Sequence, residues 1–127
     1  MSIPEFVPEF VIERREKLRQ RALNQAYKAL LAVEKAGGHA VVFGSVLKAG
    51  KGGFQEGSDI DICLLKPSKS VWDTDSPDSA GFWFSLVEGA IDGFPADISW
   101  FDELRPHVKE KVEMEGTGLD DLAKLVQ

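Results

Sequence analysis

The sequence predicts an α+β fold, a small mixed β-sheet with helices packed on one side. Three observations carry this. Along the 127 residues the hydrophobic pattern reads helix, strand, strand, helix, strand, helix. The strand segments at 59–65 and 95–101 alternate apolar and polar residues, so each has one face to bury. The helical segments carry single apolar stripes, and laying those stripes on the sheet buries both partners.

The first helix is expected from about Glu9 to Ala36, after an extended arm over residues 1–8 that holds Pro4 and Pro8. Leu18, Ala22, Ala26, Leu30 and Val33 recur at spacings of three and four. Gly37-Gly38 ends the helix, because glycine takes the left-handed C-terminal conformation at little cost. The apolar run 39–44 is then a buried strand, broken at Gly44-Ser45. Residues 46–58 hold four glycines and read as a loop, mobile without ligand. In the strand 59–65, Ile60, Ile62 and Leu64 face one side and Asp59, Asp61 and Cys63 the other.

Residues 66–78 are polar, with Pro67 and Pro77, and read as a loop. Ser76-Pro77 opens a helix, serine capping and proline in the first position. It runs to about Asp92, with Ala80, Trp83, Phe84, Val87, Ala90 and Ile91 inward, and Gly93 stops it. In the third strand, 95–101, Ile98 and Trp100 share one face and Asp97 and Ser99 the other. A last helix is expected from near Glu103 to Glu115, and Asp120 to Val126 add a final turn or two.

Length and composition bound the function. A chain of 127 residues suits one domain, 1–127, with one core. No apolar run is long enough to span a membrane. The acidic, proline-containing start is unlike a signal peptide, and the lone Cys63 permits no internal disulfide, so a cytoplasmic protein is expected. The net charge of −6 argues against nucleic acid as a direct substrate. Arg14, Arg15, Lys17, Arg19, Arg21 and Lys28 make the first helix basic, and the C-terminal segment is acidic; both read first as solvated faces, with recruitment of a charged partner or nucleotide as the alternative.

The chemistry concentrates at Asp59 and Asp61. Two carboxylates on one strand face repel each other unless a cation lies between them. Asp97 arrives on a strand able to neighbour them. Three carboxylates on adjacent strands suit two magnesium ions about 3.5–4 Å apart, as in phosphoryl and nucleotidyl displacement. The Gly44-Ser45 turn and the glycine-rich loop offer backbone N–H groups to phosphates.

Phe43-Gly44-Ser45, Ser58-Asp59-Ile60-Asp61, Asp97-Ile98 and Phe101-Asp102-Glu103-Leu104, running into a helix that ends Glu115-Gly116, form an ordered set. That set resembles the DNA polymerase β-like nucleotidyltransferases, and the small size resembles their minimal nucleotidyltransferase branch; the resemblance covers roughly residues 20–120. It implies the polymerase β-like fold and transfer of a nucleotide to a hydroxyl with release of pyrophosphate. It implies that Asp59 and Asp61 hold both of two Mg2+ ions. Asp97 would bind the catalytic ion and help activate the acceptor hydroxyl. Gly44 and Ser45 would hold the β- and γ-phosphates of ATP, with Lys48, Lys51 and Ser58 as further nucleotide-binding candidates. The minimal branch pairs with HEPN-domain proteins, so the resemblance also implies an antitoxin that moves AMP onto a partner hydroxyl, that of a tyrosine.

The sequence departs from the family in its longer loop. Thirteen residues separate Ser45 from Asp59, and their basic residues are Lys48 and Lys51 where the family carries arginines. Lysine is a point charge where arginine is a planar fork. Two other classes stay open: a small-molecule nucleotidyltransferase, and a module that neutralises its partner by contact alone. Other motifs resolve as structural. Gly50-Lys51 lacks the first glycine and the Ser or Thr of a P-loop. The apolar residues after Asp61 exclude a calcium loop. His39 and His107 are isolated, Cys63 reads as an inert core thiol, and Trp72 as an edge-packing side chain.

Overall fold

A computed structural model describes residues 8–48, 53–65 and 79–126. Most of the expected arm, Lys51, Trp72 and the Ser76-Pro77 helix start lie outside the described residues, as does the side chain of Ala80.

Helix α1 spans Glu9–Lys35 and buries Ala22, Leu23, Ala26, Ala29, Leu30 and Val33. Its end is a left-handed glycine cap. Gly37 has φ 92°, its N–H donates to the Glu34 carbonyl at 3.0 Å, and the Gly38 N–H donates to Val33 at 2.9 Å. Those two bonds satisfy carbonyls that the helix itself leaves open. Strand β1 (His39–Phe43) follows, then a 3-10 turn, Gly44–Leu47. After the loop come β2 (Ile60–Leu65), α2 (Ser79–Ala90) and β3 (Ala96–Trp100). A 3-10 turn at Phe101–Glu103 leads to α3 (Pro106–Glu115) and α4 (Leu119–Ala123).

The three strands form one mixed sheet in the order β1-β2-β3. β1 and β2 are antiparallel, Phe43 facing Asp61; β2 and β3 are parallel, Asp61 facing Asp97 and Ile62 facing Ile98. Thr117 covers the outer edge of β1, exchanging two backbone hydrogen bonds with Val42 at 3.0 and 2.8 Å. The core lies between one sheet face and α1, α2 and α4. Ala40, Val42, Ile60, Ile62 and Leu64 meet the α1 stripe, with Trp83 and Val87 of α2 and Leu122 of α4. Full burial of a side chain such as Ile62 contributes roughly 2–3 kcal/mol. The α+β class and the mixed sheet therefore stand as the sequence predicts.

Two expected boundaries move. The last helix starts at Pro106, three residues later than Glu103. A residue before proline is pushed out of the helical region, and Arg105 is extended at ψ 151°, so the helix begins with proline in its first position. The second helix ends at Ala90 rather than Asp92. There the Asp92 N–H leaves the helical ladder and donates to Gln25 Oε1 of α1 at 3.0 Å.

The segment read as a mobile loop is anchored at both ends. Val46 is fully buried within the 3-10 turn. Phe54 is buried as well, its ring centroid 5.8 Å from that of Phe94. A tight turn, Ser58 N–H to Gln55 carbonyl at 2.9 Å, then feeds β2.

Candidate active site

Pleating sets the orientation of the aspartates. Ile60 and Ile62 are buried in the core, so Asp61 between them faces away from it. The parallel register puts Asp97 directly beside Asp61 on the neighbouring strand. The Ile60 N–H donates to the Pro95 carbonyl at 2.9 Å, which brings the starts of both strands together. Asp59 lies just before β2 and, like Asp97, is exposed, whereas Asp61 is half-buried.

This geometry perturbs Asp61. Burial, the charge of Asp97 and then the charge of Asp59 raise its carboxyl to about 6, and Lys111 of α3 acts in the opposite direction. Asp61 thus feels both other aspartates, and its environment disfavours the bare carboxylate. Nothing in the sequence pattern marks Lys111. It lies 50 residues from Asp61, and no local pattern links them.

The Gly44-Ser45 turn closes on the same carboxylate. Gly44 is buried with φ 84°. A Cβ placed there would collide with Asp61 Oδ2. Glycine is required twice over, by the left-handed backbone and by the approach of the carboxylate. The Phe43-Gly44-Ser45 motif is therefore a close packing of turn against aspartate.

Arg19 holds this turn from α1. Its Nε donates to the Val46 carbonyl at 2.9 Å and its Nη2 to the Leu47 carbonyl at 3.3 Å. Nη1 pairs with Glu16 Oε1 at 2.9 Å, and only 11% of the side chain is exposed. Arg19 is thus no member of a solvated basic face. Its fixed fork ties the helix to the turn 27 and 28 residues away. The only sequence signal was the Glu16–Arg19 spacing, which many surface helices share.

The remaining candidates are less convergent. Lys48 is exposed, with Nζ 3.9 Å from Glu115 Oε1; the other Glu115 oxygen, Oε2, is buried without a hydrogen-bond partner among the described residues. Ser58 is engaged in its own turn, where Oγ accepts from the Gln55 N–H at 3.2 Å. Lys51 lies outside the described residues. Cys63 shares the aspartate parity but is buried, and burial raises its thiol, with the Ser99 hydrogen bond opposing and Asp102 adding to the rise. A buried protonated thiol is inert, as expected. His39 bonds Glu34 Oε1 at 3.0 Å on the surface, and His107 is exposed.

The donor set has the chemistry of a magnesium site: hard oxygen ligands whose mutual repulsion a cation relieves. Among the described residues no three His, Cys, Asp or Glu side chains gather into a preformed metal cage. Magnesium bound through one or two carboxylates and substrate phosphates needs no such cage. The Asp61–Asp97 pair fits that open mode. No helix among the described residues is long and apolar enough to cross a membrane. No protein-family model matches the chain, and no curated protein matches it.

Proposed function

We propose that this chain is a magnesium-dependent nucleotidyltransferase that moves AMP from ATP to a hydroxyl on a partner protein. The observation that carries the reading is the convergence on Asp61: Asp97 beside it in register and the Gly44 turn packed against its carboxylate. A phosphate-sized turn and a carboxylate pair at one end of a sheet serve the two halves of such a transfer. The ordered motifs that resemble the minimal polymerase β-like enzymes support the same reading. By that resemblance the partner is a HEPN-domain toxin and the acceptor a tyrosine; a single, unpaired cysteine suits the cytoplasm as the site of action.

In this reading Asp59, Asp61 and Asp97 hold magnesium, which supplies neutralisation of phosphate charge. Gly44 and Ser45 present backbone N–H groups to the outer phosphates, and Arg19 keeps that turn rigid. Asp97 accepts the proton of the acceptor hydroxyl. The hydroxyl oxygen forms a bond to the α-phosphorus, and the bond from that phosphorus to pyrophosphate breaks. Positioning and charge neutralisation carry the rate, with no covalent enzyme intermediate.

The test is transfer of label from α-labelled ATP to a co-expressed HEPN partner, with wild type and Asp61→Asn in parallel. Magnesium-dependent labelling by wild type alone is the expected result. Absence of labelling alongside full neutralisation of the partner by both proteins would instead identify a contact-only module.

A further inference from the structure

The first half of α1 and the turns that lead into β2 and β3 enclose an open cleft of about 1030 Å³. That volume is at the upper end of the range for small-molecule sites. Arg14, Arg15, Lys17 and Arg21 line the α1 side, against two lining carboxylates, Glu13 and Glu56. The excess of positive charge stands out in a chain of net charge −6. Among the described residues none of the four cations forms an ion pair within 4.0 Å. Among the described residues their charge is therefore not neutralised by a carboxylate in contact.

The cleft is also apolar. Val11, Leu18, Phe94 and Pro95 line it, and Phe10, 65% exposed, lies at the same wall. The Arg21 guanidinium carbon is 5.7 Å from the Phe94 ring centroid, and Phe94 packs in turn on buried Phe54. One cation is thus already oriented by an aromatic face. The position matters most. Ser58 lines the cleft and Asp59 follows it; Pro95 lines the cleft and Asp97 lies two residues on. None of the three aspartates lines the cleft, but its Ser58 and Pro95 edge leads directly into the strands that carry them.

Basic charge over an aliphatic and aromatic floor matches an acidic amphipathic peptide. Single-stranded nucleic acid fits less well. It wants successive stacking platforms along a basic track, and beside Phe10 and Phe94 the apolar lining is aliphatic, Val11, Leu18 and Pro95. An extended polyanion also meets the negative field of the rest of the chain, whereas a short segment stays within the local field, which decays over roughly 10 Å.

We propose that this cleft docks an acidic, amphipathic segment of the protein that carries the acceptor hydroxyl. The link to an acceptor rests on the nucleotidyl-transfer reading above; the docking itself does not. The partner's aspartates and glutamates meet Arg14, Arg15, Lys17 and Arg21, and its apolar side chains meet Leu18 and Phe94.

Fluorescence anisotropy with a synthetic probe tests this. The probe is a labelled peptide of about twelve residues, roughly three helical turns, with leucine and phenylalanine at spacings of three and four and glutamate on the opposite face. Its control replaces every glutamate by glutamine. The expected result is binding of the acidic peptide that weakens at least tenfold in Arg14→Gln/Arg21→Gln. The charge-matched variant Lys28→Gln/Lys35→Gln, altered elsewhere on α1, keeps wild-type affinity. Equal binding of the glutamine peptide, equal loss in both variants, no binding by folded wild type, or tighter binding of an oligothymidylate of matched length would each overturn the proposal. So would concentration-dependent self-association abolished by Arg14→Gln/Arg21→Gln, which would make a second copy the occupant. Asp61→Asn retains peptide binding while removing transfer, so failure of docking and failure of the catalytic reading are scored separately.

Discussion

Asp61 stands in register with Asp97 across the parallel β2–β3 pair, and the two carboxylates share the sheet face turned away from the core. Burial and this like charge raise the Asp61 carboxyl to about 6. The ionised side chain is therefore a cost to the fold. An acid with a raised folded-state value binds its proton more tightly when folded than when unfolded. Its contribution favours the fold fully below about 4 and is lost as pH rises through about 6.

Asp61→Asn is accordingly expected to stabilise the metal-free protein at pH 7.5. Discounted for the half-exposed position, the gain is about 1 kcal/mol, or roughly 3 °C in the unfolding midpoint. The gain should vanish at pH 4, where wild type is protonated at this position. Thermal unfolding at both pH values checks it, and a variant no more stable than wild type at pH 7.5 would refute the cost assigned to this carboxylate.

Gly44 and Gly57 share a left-handed backbone, φ 84° and 88°, but not a neighbourhood. At Gly44 an added methyl meets the Asp61 carboxylate; at Gly57 it meets nothing within 4 Å among the described residues. Gly57→Ala should cost about 1 kcal/mol from backbone strain alone. Gly44→Ala should cost more, about 2–3 kcal/mol, since strain is joined by displacement of Asp61. It should also abolish magnesium-dependent ATP binding, while Gly57→Ala retains it. Calorimetric titration of both variants separates the two effects; equal ATP binding would detach the turn from the site.

The sequence showed the carboxylates readily because their placement follows from local periodicity. Ile60 and Ile62 must enter the core, so Asp61 must leave it, and the same parity at Ile98 turns Asp97 outward. Glycine after a buried strand likewise marked the Gly44 turn. Arg19 was misread because its partners, the Val46 and Leu47 carbonyls, are backbone groups brought near only by the packing of α1. Backbone acceptors leave no trace in side-chain pattern. Lys111 was invisible for a similar reason, since α3 reaches Asp61 only through the tertiary fold. The basic cleft sits between these cases. Its charges were visible as a run on one helix, but its apolar wall at Phe94 and Pro95 arrives from the other side of the chain.

Arg19 supports a third prediction. Arg19→Met keeps the side-chain stem but removes donors to two carbonyls and the ion pair to Glu16, which retains its hydrogen bond from Gln20. A charge-assisted bond lost in a largely buried setting costs about 2–3 kcal/mol. Arg14→Gln on the same helix, exposed and unpaired among the described residues, should stay within about 0.5 kcal/mol of wild type. Urea midpoints measure the contrast. Similar midpoints for both variants would return Arg19 to the solvated face.

The pH dependence of transfer ties Asp61 to its metal role. Magnesium binds the ionised carboxylate, and protons compete for it. At low magnesium the transfer rate should rise with pH and level off above about 6, the value to which burial, Asp97 and Asp59 raise the Asp61 carboxyl. Higher magnesium favours the ionised form and should move that midpoint downward. Lys111→Ala removes the one charge that acts in the other direction, so the midpoint at low magnesium should move up. Rate profiles at two magnesium concentrations, for wild type and Lys111→Ala, provide the measurement. A midpoint independent of magnesium would mean that the titrating group is not the one that holds the metal. The assignment of Asp61 as a ligand would then fail even if transfer itself were observed.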